Sequence, residues 1–225
     1  MKEYDREKAM WNQVFSDYQL KDITHIPLMV EPMFDTCLML FAESTSRVLD
    51  FGCGTGDILF QCAQCHHTDY GLGIDSAGNG IDYAREMAEL NHFTTLEFAV
   101  GDENSLEQYE ESTFNGIILS NVLDVMPKEN FINTLKRLDH LLCPGGYWFI
   151  KLNPFYSDEE LSSFQYQPLG EELYEADGVL CLRQEPTYYW KKVFRHLGTI
   201  LRYLEFPYPW QPGQNRLFLL KKAFS

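Results

Sequence analysis

The chain has 225 residues, enough for one compact domain that buries roughly 70% of its unfolded surface, and its 45% hydrophobic and 23% charged content is that of an ordinary soluble globular protein. Thirty-three acidic against eighteen basic residues leave a net charge of −15, a field that repels phosphate backbones and sets nucleic acid aside as the expected partner. No apolar stretch approaches the roughly 18 residues of a membrane span, so no membrane partner is expected either.

Residues 1–45 open with MKEYDREKAMWNQ, which has no apolar signal-peptide region, and a cytoplasmic location follows as the expectation. In that setting the six cysteines (37, 53, 62, 65, 143 and 181) are read as reduced thiols. Tyr4, Trp11, Phe15 and Tyr18 recur at near-helical spacing. Pro27 and Pro32 interrupt the line before a second apolar run from Phe34 to Phe41. Two helices forming an N-terminal cap over the main body are expected here.

Residues 46–153 alternate short apolar runs with helical patterns, the signature of βαβ units on a parallel sheet. The runs are RVLDF (47–51), DYGLGI (69–74), TLEFAV (95–100), NGIILS (115–120) and GYWFIKL (146–152). Helices are expected over 57–65, over 81–91 and from Pro127 to Leu142, where Phe131, Leu135, Leu138 and Leu142 share a face.

From residue 154 the texture changes. There is no Lys or Arg between Lys151 and Arg183, while seven acids and five aromatics crowd residues 155–178. This segment is expected as a solvated acidic loop, or as a fold over the acceptor that suits a cationic or aromatic group. Asp177-Gly178 reads as a two-residue hairpin turn and YYWKKVFRHL as a helix. TILRYLEF (199–206) and RLFLLKK (216–222) read as strands joined by a proline-rich loop, PYPWQPGQN. With no room for a crossover helix, these last two strands must pair antiparallel.

The chemistry concentrates in VLDFGCGTGD (48–57), where an apolar strand runs straight into Gly52, Cys53, Gly54 and Gly56 before a helix opens. Glycine suits a sharp exit from the strand and lets a ligand approach the main chain with no Cβ in the way. The dinucleotide fingerprint needs its third glycine one residue later, and Asp57 at the helix start is poorly suited to a pyrophosphate. NAD and FAD are therefore disfavoured against a nucleoside ligand without phosphate. Asp75, nineteen residues after Gly56, ends the second run, where a carboxylate can accept from both hydroxyls of a ribose. Asp102 and Glu103 end the third, where a carboxylate can accept from the adenine amine.

Taken together, VLDFGCGTG, GID (73–75), GDENS (101–105), FNGIILSNVLDVMP (114–127) and LCPGGYWFIKLN (142–153) resemble class I S-adenosylmethionine-dependent methyltransferases. Within that class the likeness is to the group that acts mostly on small molecules. It implies an α/β, Rossmann-like three-layer sandwich, with a seven-stranded, mostly parallel sheet whose strand seven inserts antiparallel between five and six. It also implies a single methyltransferase domain over 1–225, with a cap (1–45), a cofactor-binding core (46–153) and an acceptor-side segment with the closing strands (154–225). Carried onto this chain, Gly52 and Gly54 would contact the methionine part of S-adenosylmethionine, with Cys53 and Gly56 in the same loop. Asp75 would hold the ribose with Ser76 beside the adenine, Asp102 would take the adenine amine with Glu103 as neighbour, Asp50 would lie under the loop, and Ser120 would lie near the sulfonium.

The sulfonium already activates the methyl group, so holding the acceptor in line does most of the work. A small-molecule nitrogen or oxygen acceptor is the expected substrate. Asp124, Tyr156 and His140 are candidate bases, but none is marked by a motif, so no catalytic residue is assigned. No set of side chains has recognisable metal-ligand spacing: Cys62-Ala-Gln-Cys65-His66 lies within an expected helix, where packing is the simpler account. Asn153-Pro154-Phe155-Tyr156 resembles the N-P-P-[YF] loop of methyltransferases that modify amide or base nitrogens, but follows the fifth run rather than the fourth. Two readings stay open beside the enzyme of small molecules: a non-catalytic cofactor-binding partner subunit, and a methyltransferase of protein or, least compatible with the acidic charge, RNA. Sequence leaves the oligomeric state open.

Overall fold

The computed structural model describes residues 2–224. The side chains of residues 2–5 and of Cys181, and with them the Tyr4 ring and one thiol, lie outside that description. The chain runs α1 (Lys2–Phe15), α2 (Pro32–Glu43), β1 (Arg47–Phe51), α3 (Asp57–Cys65), β2 (Tyr70–Asp75), α4 (Gly78–Leu90), β3 (Leu96–Val100), β4 (Phe114–Ser120), α5 (Lys128–Leu141) and β5 (Leu142–Leu152). It continues through α6 (Asp158–Ser163), β6 (Gln167–Gly170), β7 (Leu173–Ala176), β8 (Val179–Arg183), α7 (Thr187–Phe194), β9 (Thr199–Tyr208) and β10 (Gln211–Lys221).

Seven strands form one sheet in the order β3-β2-β1-β4-β5-β10-β9. The first five pair in parallel, and β10 lies antiparallel between β5 and β9, so the expected sheet is present. Its apolar residues serve two faces. Leu49, Ile74, Ile117, Leu119 and Ile150 pack towards Phe131 of α5 and Trp190 and Phe194 of α7. Val48, Ile118, Phe149 and Leu217 pack towards Phe34 and Phe41 of α2, Leu59 and Phe60 of α3 and Ile81 of α4. Burial on both faces is why these runs read as continuously apolar instead of alternating.

Two expectations fail. PYPWQPGQN is not a loop: β9 continues to Tyr208, β10 begins at Gln211, and only Pro209 and Trp210 turn. Pro207 is tolerated because β9 is an edge strand, and a register shift between Gln211 and Asn215 absorbs Pro212 and Gly213. The acidic segment is likewise ordered. After α6, whose Ser157–Glu160 capping box fixes its start, β6, β7 and β8 form a separate three-stranded antiparallel sheet. Its β7–β8 turn is the expected Asp177-Gly178, with both φ values positive (53° and 76°). This sheet has its own small core of Tyr156, Leu161 and Leu182.

Candidate active site

The parallel strands deliver the predicted residues to one edge. β1 ends beside β2, and the N–H groups of Gly52 and Cys53 both donate to the Ile74 carbonyl (2.7 and 3.1 Å). Gly52 has φ +75°, and a Cβ there would stand 2.3 Å from Val122 Cγ2, so only glycine lets the loop pass this close to the tip of β4. Gly56, with φ +80°, opens α3.

Asp75 holds the loop in place. Its Oδ2 accepts from Gly54 N (2.8 Å) and its Oδ1 from Ala77 N (2.8 Å). Its carbonyl accepts from Gly101 N (2.9 Å), which fixes the β3 tip alongside. Gly52–Gly56, Asp75 and Asp102 thus converge on one edge. Burial raises the Asp75 carboxyl above the ordinary range, opposed by the N–H groups it accepts.

The other predicted residues divide. Asp50 is 1% exposed beneath the loop, with Oδ1 lacking a partner among the described residues. Burial, reinforced by Asp75 and Asp57, pushes it up to about 8, so it is protonated at neutral pH. Asp102 is exposed, and its Oδ1 accepts from Asn104 N (2.8 Å), closing an Asx turn in which Oδ2 has no hydrogen bond among the described residues. Ser76 is exposed beside Asp75, and Glu103 is half-buried next to Asp102, its carbonyl accepting from Arg137. Ser120 ends β4, half-buried.

Of the three candidate bases, His140 is exposed on the last turn of α5, which leads into the start of β5 and so lies at the end of the sheet opposite the strand tips. Tyr156 donates its hydroxyl to the Pro212 carbonyl (3.3 Å). Asp124 is fully buried beyond β4; its Oδ2 accepts from Asn153 N (2.5 Å) while Oδ1 has no partner among the described residues.

Several groups at this edge were missed by sequence reasoning. Lys151, 2% exposed at the end of β5, donates to Asn121 Oδ1 (2.8 Å) and lies over the Tyr208 ring (4.8 Å). Burial lowers it to about 8 against the pull of Asp124. A lysine inside the apolar run GYWFIKL was the available signal. Arg216, in the equally apolar NRLFLL, donates to the Asn153 and Glu185 carbonyls (3.0 and 2.8 Å). From α1, Phe15 packs within 3.3 Å of where a Gly54 Cβ would be, and Glu7 sits close enough to Asp75 for that charge, after burial, to raise it to about 7. The helix therefore crosses the glycine loop, and Asn79 N donates to Asn12 Oδ1 (2.9 Å) to tie it to α4.

Comparison with known proteins matches a family model described as a methyltransferase domain over residues 42–173. The tRNA N(3)-cytidine methyltransferase METTL2 of Xenopus tropicalis is 27% identical over 144 residues, covering 61% of this chain and 42% of that protein. The chain thus spans less than half of the length of that relative. Among solved structures, the PH0226 protein of Pyrococcus horikoshii OT3 aligns with a TM-score of 0.70 at 18% identity, over 85% of this chain and 89% of that one. A 1,6-didemethyltoxoflavin-N1-methyltransferase of Burkholderia thailandensis, solved with bound 1,6-didemethyltoxoflavin and S-adenosylhomocysteine, aligns with a TM-score of 0.68 at 17% identity, over 98% and 85%. These two show the fold. The exclusion of nucleic acid drawn from net charge is overturned by the tRNA methyltransferase relative. Net charge is an average over the whole surface and says nothing of how the charges are distributed. Among the described residues no helix is long and apolar enough to cross a membrane. With the matched family model spanning more than half its length, the chain belongs to the methyltransferase-domain family.

Proposed function

We propose that this methyltransferase transfers the methyl group of S-adenosylmethionine to a ring nitrogen of a nucleobase in RNA. When bound, the cofactor supplies a methyl group already activated by its sulfonium. The main chain of Gly52, Cys53, Gly54 and Gly56 holds the methionine part. Asp75 accepts the ribose hydroxyls, with Ser76 alongside, and Asp102 accepts the adenine amine through Oδ2, with Glu103 as neighbour. Asp50 supports the loop from below and Ser120 lies towards the sulfonium.

One observation carries the cofactor half of this reading: the Asp75 carboxylate, fixed by Gly54 N and Ala77 N, keeps a lone pair on each oxygen for a diol. The acceptor half is supported by the likeness to a tRNA N(3)-cytidine methyltransferase. The N3 of a cytosine attacks through its lone pair and has no proton to lose, so positioning suffices.

A second reading, a small-molecule N or O acceptor, is favoured by the toxoflavin N1-methyltransferase that aligns over 98% of the chain. Incubation with methyl-labelled cofactor and, separately, total tRNA or a deproteinised metabolite pool discriminates them. Label in nuclease-sensitive RNA supports the proposal. Label only in the small-molecule pool replaces it with the second reading.

A further inference from the structure

The charge on this chain is segregated. Residues 187–225 hold seven Lys and Arg against one acid, Glu205, whereas residues 1–186 hold eleven against thirty-two. The basic segment comprises α7, β9 and β10, which form one end of the sheet. The single acid in it accepts a hydrogen bond from the Tyr203 hydroxyl.

Helix α7 gives this charge a direction. Trp190 and Phe194, four apart, are fully buried, and Phe194 meets Phe218 of β10 with ring centroids 5.0 Å apart. The opposite face presents Tyr188, Lys192 and Arg195, spaced i, i+4, i+7, as a stripe about 10 Å long. All three are exposed, Tyr188 to 77%. Lys191 flanks the stripe with its ammonium 3.9 Å from the Tyr203 ring centroid. Neither Lys192 nor Arg195 has an ion pair among the described residues, whereas Lys222, further along the same end, is tied to Asp139 (3.2 Å). Two unpaired cations and an exposed ring on one helix face, on a protein otherwise strongly acidic, complement a phosphate backbone with an unstacked base. The stripe also connects to the site: α7 follows Glu185, whose carbonyl Arg216 holds at the strand tips, and Thr187 Oγ1 lies 3.2 Å from the Tyr203 hydroxyl.

We infer that the outer face of α7 is an RNA-docking surface, with Lys192 and Arg195 on phosphates and Tyr188 stacking an unpaired base. The acidic remainder of the surface confines the polyanion to this end. The inference rests on the RNA reading above for its choice of polyanion, and it is tested separately from turnover.

The probe is a fluorescein-labelled, unmodified tRNA transcript, titrated across a salt series by anisotropy. Lys192→Glu with Arg195→Glu is expected to weaken binding at least tenfold and to flatten the slope of log affinity against log salt by about 2, one per phosphate contact. The milder Lys192→Ala with Arg195→Ala gives a smaller loss in the same direction. Tyr188→Ala is expected to weaken binding by roughly five- to a hundredfold with the salt slope unchanged, because stacking displaces no counterions. Melting temperature and S-adenosylhomocysteine affinity stay at the wild-type values in all three variants. Wild-type affinity in the charge-reversed variant overturns the inference, as does variant-sensitive binding to phosphatidylserine vesicles without binding to tRNA. Binding through this face without methyl transfer to RNA leaves the surface standing and removes the proposed reaction. Transfer to RNA with a KM indifferent to all three variants does the reverse.

Discussion

The two halves of the main sheet use opposite physical means. On the β3-β2-β1 side the candidate site is made of backbone: glycines at positive φ, main-chain N–H groups and one carboxylate, Asp75, that ties loop to strand. On the β5-β10-β9 side long side chains are held in the interior: Lys151 and Arg216, with Arg183 from the neighbouring β8, are 1–2% exposed, and Asp124 and Asn215 are wholly buried. Main-chain geometry is specified by neighbours in sequence, whereas buried charges must find partners from distant segments. The Arg183 guanidinium, for example, donates from β8 to the carbonyls of Met126 and Glu171 (3.0 and 2.9 Å). The cofactor half is therefore expected to fail by losing a ligand and the C-terminal half by losing its fold.

The largest effect belongs to the C-terminal half. Arg216→Ala removes the cation facing Asp124 and leaves two carbonyls without their donor, at a cost of about 3–5 kcal/mol. For a chain of this length that lowers the melting temperature by on the order of 10 °C, measurable by calorimetry. A shift below 2 °C would show that the buried cluster is held by packing alone.

Asp75→Ala is expected to leave the melting temperature within a few degrees of wild type while reducing S-adenosylhomocysteine affinity by roughly a hundredfold. This is about 2.7 kcal/mol, the worth of one or two charge-assisted hydrogen bonds. Isothermal titration reads both arms, and unchanged affinity would remove the ribose assignment.

Asp50→Asn tests burial beneath the loop through pH. The folded-state value of about 8 lies above the ordinary carboxylate value, so folding retains the proton. That contribution is fully present below about pH 4 and is lost as pH rises through about 8. The wild type should therefore lose melting temperature across this window, with Glu7, raised to about 7, adding to the slope. Asp50→Asn flattens the profile and is the more stable protein at pH 8.5, by roughly 2–4 °C. Parallel profiles for the two proteins would mean that Asp50 is ionised in the fold.

The smallest effect is expected at His140. It is exposed at the opposite end of the sheet, so His140→Ala changes neither cofactor affinity nor methyl transfer and shifts stability by no more than about 0.5 kcal/mol. A drop in turnover would mean that the site extends to the far edge.

Much of the cofactor half was legible before any coordinates. Apolar runs of five or six residues separated by helical periods specify parallel strands, and the parallel arrangement itself brings Gly52, Asp75 and Asp102 to one edge. What could not be read is the pairing of side chains that meet only in the fold. The acidic stretch 155–178 looked like a loop because strand pairing is not visible in its composition; six of its seven acids are exposed, yet the backbone beneath them is held in α6 and the β6-β7-β8 sheet. PYPWQPGQN looked like a loop because edge position, which excuses proline from the ladder, belongs to the sheet as a whole. Net charge misled for a related reason: it sums residues without placing them, and the seven basic side chains of the last 39 residues were averaged away. Sequence alone established the parallel βαβ alternation and the glycine loop, which rest on local backbone preference and period, and its motifs carried the family resemblance. Tertiary structure decided which charges are buried, which helix crosses the loop and where positive charge meets solvent, because each depends on distances between residues far apart along the chain.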